Sequence, residues 1–211
     1  MFNTPDAQTL AVAELTIVLI LSLLRKINQA VISIKNRKWE KKMGSLLCGK
    51  KVGIIGFGKI GRKVAELLKS FHCEIAYCDP FVGKNILGCR NLPKEELLIW
   101  ADIVSIHASA KEKILGEEEL KTMRKGAWLI NVSRGNAINE SALYRYLKKG
   151  HLSGAALDVF KQEPYSGPLR ELDNVVLTPH IGSYAKEARI RMEKEAVDNL
   201  LKGLREAEGK K

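Results

Sequence analysis

The chain has 211 residues, 45% of them hydrophobic, and a formal net charge of +11, a length that suits one large α/β domain or two small ones with a real buried core. The charge invites a nucleic-acid reading, because basic clusters bind phosphate backbones. Much of it sits in Lys35, Arg37, Lys38, Lys41, Lys42, Lys50 and Lys51, where only Trp39 interleaves and no nucleic-acid motif appears, so we read a solvated basic face that suits small anions rather than nucleic acid.

In chain order, residues 8–35 read as one long helix whose apolar positions (Leu10, Val12, Ala13, Ile17, Ile20, Leu21, Leu24, Ile27) nearly surround it. A helix apolar on most sides must be buried on most sides, so this one fills the core or meets another chain, and a dimer contact is expected for part of it. Glu14, Thr16 and Ser22 interrupt the apolar stretch Leu10 to Leu24, which is shorter than the roughly 18 apolar residues of a membrane span. No basic region precedes it, so neither a signal peptide nor a membrane association is expected. Residues 36–49 form a charged connector ending in Gly49.

The stretch Val52 to Asp79 organises the rest. An apolar run (Val52, Ile54, Ile55) leads into Gly56-Phe57-Gly58-Lys59-Ile60-Gly61, a helical pattern follows (Val64, Ala65, Leu67, Leu68, Phe71), and a second run (Ile75, Ala76, Tyr77) ends at Asp79. This is a G-x-G-x-x-G fingerprint between a strand and a helix. Gly56 permits the tight turn, Gly58 lets the backbone approach a pyrophosphate, and Gly61 lets the helix pack on the sheet. The helix start points N–H groups and a positive dipole end at the phosphates. Asp79, eighteen residues beyond Gly61, sits near the spacing at which an acid meets the adenosine ribose hydroxyls. It would repel a 2′-phosphate, so NAD is favoured over NADP.

Beyond Asp79, Pro80 and Gly83 mark a loop and a helix starts near Pro93 with Glu95, Glu96, Leu97 and Leu98. Ile103–Ile106 is a strand ending at His107, Glu117–Met123 a helix, and Trp128–Val132 a strand. Residues 139–149 form a helix stopped by Gly150, and Ala155–Leu157 and Val175–Leu177 are strands before Asp158 and before Thr178-Pro179-His180. Residues 185–203 form a final amphipathic helix and EAEGKK a frayed tail. Alternating strands and helices give an α/β fold, a doubly wound parallel sheet of the Rossmann type. We divide the chain into 1–43 (helix and connector belonging to the same domain), 44–184 (the core) and 185–211 (helix and tail). Ligands of such sheets bind beyond the carboxyl ends of the strands, which singles out Asp79, His107, Ser133, Arg134, Asp158 and His180. His72 and His151 lie in helix-ending turns and are expected to face solvent. Cys48, Cys73, Cys78 and Cys89 show no C-x-x-C pair and no metal spacing, so no metal is expected and Cys73 and Cys78 read as core packing in a reducing cytoplasm.

The ordered stretches Asn3-Thr4-Pro5, Val12-Ala13-Glu14-Leu15-Thr16, GFGKIGRKVA, INVSRG, ALDVFKQEP and TPHIG, reaching to about Asn199, resemble the NAD-binding domain of the D-isomer-specific 2-hydroxyacid dehydrogenases. Within that family the likeness is greatest to the D-3-phosphoglycerate dehydrogenase type. The resemblance implies a catalytic set of Arg134, Glu163 and His180, with Asp158 at the nicotinamide end. Fingerprint, strand ends and resemblance together place the cofactor, NAD, among Gly56, Gly58, Lys59, Ile60, Gly61, Asp79, His107, Ala108, Val132, Ser133, Arg134, Asp158, His180 and Gly182.

These residue types suit the implied chemistry, the interconversion of a D-2-hydroxy acid and its 2-oxo acid. His180 can supply a proton near working pH. Glu163, hydrogen-bonded to the imidazole, would orient the ring and favour its protonated form. Arg134 offers a permanent planar fork for the substrate's carboxylate and carbonyl oxygens. After His107 the family continues Leu-Pro-Leu-Thr, whereas this chain has Ala108-Ser109-Ala110-Lys111 and reaches Ile114 early, so a loop walling the cofactor pocket is expected to be shorter or differently shaped. Family members also carry part of a substrate domain before Asn3-Thr4-Pro5. Its absence here leads us to expect a cofactor domain whose substrate half comes from a further segment or a partner chain. The alternative is a non-catalytic NAD(H)-binding or interaction module.

Overall fold

Most of the apolar runs become strands because they are short, bounded by turn residues and buried on both faces. In the computed structural model, which describes residues 7–83, 86–108 and 113–208, they are β1 (Lys51–Ile55), β2 (Glu74–Cys78), β4 (Ile103–Ile106), β5 (Trp128–Asn131), β6 (Gly154–Leu157) and β7 (Val175–Leu177). A two-residue edge strand, β3 (Arg90–Asn91), joins them; it is too short and polar to carry a sequence signal. All pairs are parallel and the order is β3-β2-β1-β4-β5-β6-β7. The order reverses between β1 and β4, the place where such sheets open a crevice.

Period-two alternation splits the core into two layers. Val52, Ile54, Ile103, Ile130 and Ala156 face one side with α1 (Thr9–Leu24) and α3 (Lys59–Lys69). Ile55, Val104, Ile106, Leu129 and Leu157 face the other with α4 (Lys94–Trp100), α5 (Glu117–Thr122) and α6 (Glu140–Lys148). The doubly wound parallel sheet read from the alternation of strands and helices is therefore present.

Three readings need correction. The helix expected over residues 8–35 is two, α1 and α2 (Ile27–Lys35), broken where Lys26 takes a left-handed φ of 53°. Ser45 N–H donates to the Leu24 carbonyl at 2.9 Å, and Gly44 packs so closely that a Cβ there would lie 2.6 Å from the same oxygen. The connector thus takes the carbonyl that a continuing helix would use. Burial follows the break: α1 buries Val12, Ala13, Thr16, Leu19, Ile20, Leu23 and Leu24, while α2 leaves Ile27, Val31, Ile32 and Ile34 exposed. The last helix, α7 (Lys186–Glu208), runs past the expected end at residue 203 into the stretch read as a tail, carrying Gly203 in its interior at a cost of about 1 kcal/mol relative to alanine. His151 is half-buried rather than solvent-facing. Gly150 (φ 69°) folds the chain back, so the imidazole Nε2 meets the Met123 carbonyl at 3.0 Å and the ring packs on Tyr146. His72 is exposed, as read.

Asn3-Thr4-Pro5 and the altered loop from Ser109 to Glu112 lie outside the described residues. Among the described residues, no helix is long and apolar enough to cross a membrane.

Candidate active site

The strand-end residues singled out from the sequence lie along one edge of the sheet. The Gly56–Gly61 turn follows β1, Asp79 follows β2, His107 and Ala108 follow β4, Val132 to Arg134 follow β5, Asp158 and Glu163 follow β6, and His180 and Gly182 follow β7. Each glycine of the turn has its own constraint. Gly56 has φ 91°, and a Cβ there would come within 2.5 Å of the Ala108 amide nitrogen, so β1 and β4 loops meet at the crevice. A Cβ on Gly61 would overlap the Gly56 carbonyl oxygen, which sets how closely α3 approaches the turn. A Cβ on Gly58 meets nothing within 4 Å, leaving above α3's first residues the open cradle a pyrophosphate needs. Asp79 Oδ2 accepts from Phe57 N–H at 2.7 Å and Oδ1 from Phe81 N–H at 2.9 Å, which points the carboxylate across the mouth of the same turn. These residues fit a dinucleotide.

His180 sits at φ 54°, a left-handed conformation that costs a non-glycine residue about 1–2 kcal/mol. Asp158, 1% exposed, supplies the restraint. Its Oδ1 accepts from the Thr178 hydroxyl at 2.6 Å and from Ile181 N–H at 2.8 Å, and its Oδ2 from Gly182 N–H at 2.8 Å. The loop is thereby gripped on both sides of the histidine. On the ring, Nδ1 lies 2.9 Å from Glu163 Oε2, while Glu163 Oε1 accepts from Phe160 N–H at 3.0 Å. The hydrogen bond from His180, and then that from the Phe160 amide, hold the Glu163 carboxyl below the usual carboxylate range. The contact with Glu163 engages Nδ1 and not Nε2. The pair remains open to solvent, with side chains 54% and 39% exposed.

Arg134 and His180 line one small cleft of about 110 Å³ together with Ile60, His107, Val132, Ser133, Asp158 and Gly182. Arg134 is exposed and its Nη1 donates to the Ser133 carbonyl at 2.7 Å. His107 places Nε2 2.8 Å from Ser105 Oγ, and its Nδ1 is buried without a hydrogen-bond partner. Burial pushes this imidazole down to about 3, so it stays neutral. A larger apolar cleft of about 600 Å³ lies against Glu163 and His180, walled by Phe160, Pro164, Tyr165, Leu177 and Pro179.

Sequence reasoning missed Gln8 and Val12, which bring the first helix into the small cleft, and Thr178 and Asn131, whose side chains hold the turns carrying His180 and Arg134. Val12, Asn131 and Thr178 lay inside motifs already singled out, though their part in the site shows only once the chain folds; Gln8 carries no signal.

Residues 17–182 match the D-isomer specific 2-hydroxyacid dehydrogenase, NAD binding domain family. The chain belongs to this family. It is 39% identical to a D-3-phosphoglycerate dehydrogenase of Archaeoglobus fulgidus, over 96% of this chain and 41% of that protein. It is 38% identical to a hydroxypyruvate reductase of Thermotoga maritima, over 97% of this chain and 70% of that protein. Among solved structures it is similar to a D-lactate dehydrogenase from Aquifex aeolicus complexed with NAD and lactic acid, with a TM-score of 0.87 and 27% identity over 97% of this chain and 68% of that one. The chain spans about two fifths of the length of the D-3-phosphoglycerate dehydrogenases it matches.

Proposed function

We propose that this chain is the cofactor-binding, catalytic-residue-bearing part of an NAD-dependent dehydrogenase that interconverts a D-2-hydroxy acid and its 2-oxo acid, in the manner of a phosphoglycerate dehydrogenase. The observation that carries the reading is the Glu163–His180 pair at 2.9 Å, on a restrained loop, in a cleft shared with Arg134. The nicotinamide cofactor, when bound, supplies or accepts the hydride at substrate C2. Arg134 then binds the substrate carboxylate by swinging from the Ser133 carbonyl. His180 holds the transferable proton on Nε2 at the carbonyl oxygen, and Glu163 keeps Nδ1–H engaged so that the ring faces the substrate. In the opposite direction the same Nε2 takes the hydroxyl proton.

The exposure of His180 and Glu163 supports a further wall, from another segment or a partner chain, that excludes water during reaction. The exposed apolar row of α2, with Ile27, Val31, Ile32 and Ile34, supports a homodimer. Four free cysteines suit a cytoplasmic location.

The test is NADH binding by calorimetry, followed by NADH oxidation with a panel of 2-oxo acids, with the chain alone and with a substrate-domain segment fused or added. We expect NADH binding by the chain alone and oxidation when the segment is supplied, with His180→Ala lowering the rate by about 10²–10⁴. A folded chain that ignores NADH overturns the reading, and a restored enzyme indifferent to His180→Ala overturns the assigned acid.

A further inference from the structure

Asn131 closes β5 and is fully buried, a polar side chain at the end of an otherwise apolar strand. Its amide is spent on one short turn. Oδ1 accepts both the Ser133 N–H at 3.1 Å and the Ser133 hydroxyl at 2.9 Å, and Nδ2 donates to the Arg134 carbonyl at 2.9 Å. The amide's orientation follows from these partners, since the reverse would set N–H against N–H. A buried polar side chain costs stability unless its bonds are made, and these three are made entirely to the two residues that lead the chain out of the sheet.

The turn has little freedom elsewhere. Arg134 is extended (φ −144°, ψ 144°), and a Cβ on the next residue, Gly135, would overlap the Phe160 carbonyl group. The main chain from 131 to 135 is therefore pinned from inside by an amide and from outside by the segment leading to Glu163. What this fixes is the direction in which the Arg134 side chain leaves the backbone. Asn131 reaches neither cofactor nor substrate, being sealed beneath the turn.

We propose that Asn131 is a positioning residue that sets the aim of Arg134 on the substrate carboxylate. The proposal rests on the reading of Arg134 as the carboxylate partner in the dehydrogenase function above. A planar fork binds a carboxylate bidentately only when its root is fixed, and slack at the root costs geometry before it costs stability.

Two readouts on the full chain test this. The first is the Arg134 Nε–Hε signal in ¹⁵N-labelled protein without ligands: ordered in the natural chain, disordered in Asn131→Ala. The second is affinity of oxamate, an unreactive 2-oxo acid mimic, for the NADH-loaded chain with the substrate-domain segment fused or added. Asn131→Ala is expected to weaken it about tenfold, and the double variant Asn131→Ala/Arg134→Ala to bind no worse than Arg134→Ala alone. Ser133→Ala, which removes one of the three bonds, should shift both readouts less and in the same direction, and it stands in if Asn131→Ala does not fold. Additive losses in the double variant, or an unchanged Arg134 signal and unchanged oxamate affinity in the folded variants, overturn the inference. If the natural chain supplied with the substrate-domain segment binds no oxamate, the functional reading falls, and the Arg134 signal alone still decides whether Asn131 orders that side chain.

Discussion

Asp158 Oδ2 accepts the Gly182 backbone N–H at 2.8 Å, and a Cβ on Gly182 would stand 3.1 Å from that oxygen, so the carboxylate and the glycine are fitted to each other across 24 residues of chain. The loop between Thr178 and Gly182 keeps His180 left-handed because Asp158 accepts three hydrogen bonds around it. In Asp158→Asn an amide NH₂ would face one of these donors whichever way it turned. Losing bonds to a buried carboxylate costs about 1.5–3 kcal/mol each, so urea denaturation should show a loss of at least that order. Unchanged stability would mean that the grip on the loop is unimportant.

The glycine turn separates packing from binding. Gly61→Ala should cost about 1–3 kcal/mol, because the methyl group overlaps the Gly56 carbonyl. Gly58→Val should leave stability almost untouched, since its Cβ meets open space, while filling the pyrophosphate cradle and abolishing NADH fluorescence enhancement. A Gly58→Val chain that binds NADH normally would place the phosphates elsewhere.

Asp79 is held by the Phe57 and Phe81 amides at the mouth of the glycine turn. Asp79→Ala should cut the NADH-to-NADPH affinity ratio by about tenfold or more, since it removes both the acceptor for the 2′-hydroxyl and the repulsion of a 2′-phosphate. Titration of each variant with both cofactors gives the ratio directly.

His107 makes acid stability a test of burial. Its folded-state value of about 3 lies below the ordinary 6.5, so below pH 6.5 the unfolded chain binds a proton that the folded chain refuses. Stability should be full above that pH and fall as pH drops toward 3, by about 1.4 kcal/mol per unit from this group. Between pH 6 and 4.5, above the ordinary carboxylate value, His107→Gln should flatten the slope relative to the natural chain. Equal slopes would mean that the imidazole is solvated. The lowered Glu163 carboxyl acts in the same direction at lower pH: its contribution is present above its ordinary 4.5 and is lost as pH falls through its folded value.

The exposed row on α2 predicts association. Ile32→Glu should move the chain from dimer toward monomer in sedimentation at micromolar concentration without changing NADH affinity, because α2 contributes no residue to the cleft. A natural chain that sediments as a monomer would count against the dimer.

By itself the sequence determined the parallel sheet, its two-sided burial and the glycine turn, because these depend on local period and on residues close together in the chain. Val52 to Ile55 and Ile103 to Ile106 announce strands buried on both faces, and Gly56 and Gly61 announce a turn with no room for side chains, with Gly58 leaving its mouth open. Only the tertiary structure decided where the first helix breaks, since Ser45 must fold back to take the Leu24 carbonyl. Only it joined Glu163 to His180, bound Asp158 to the loop from Thr178 to Gly182, and sank Asn131 beneath Arg134. Periodicity reports which face of an element is buried. Hydrogen bonds between loops that follow different strands depend on strand order and register, which bring those loop ends within bonding reach only after the sheet has closed.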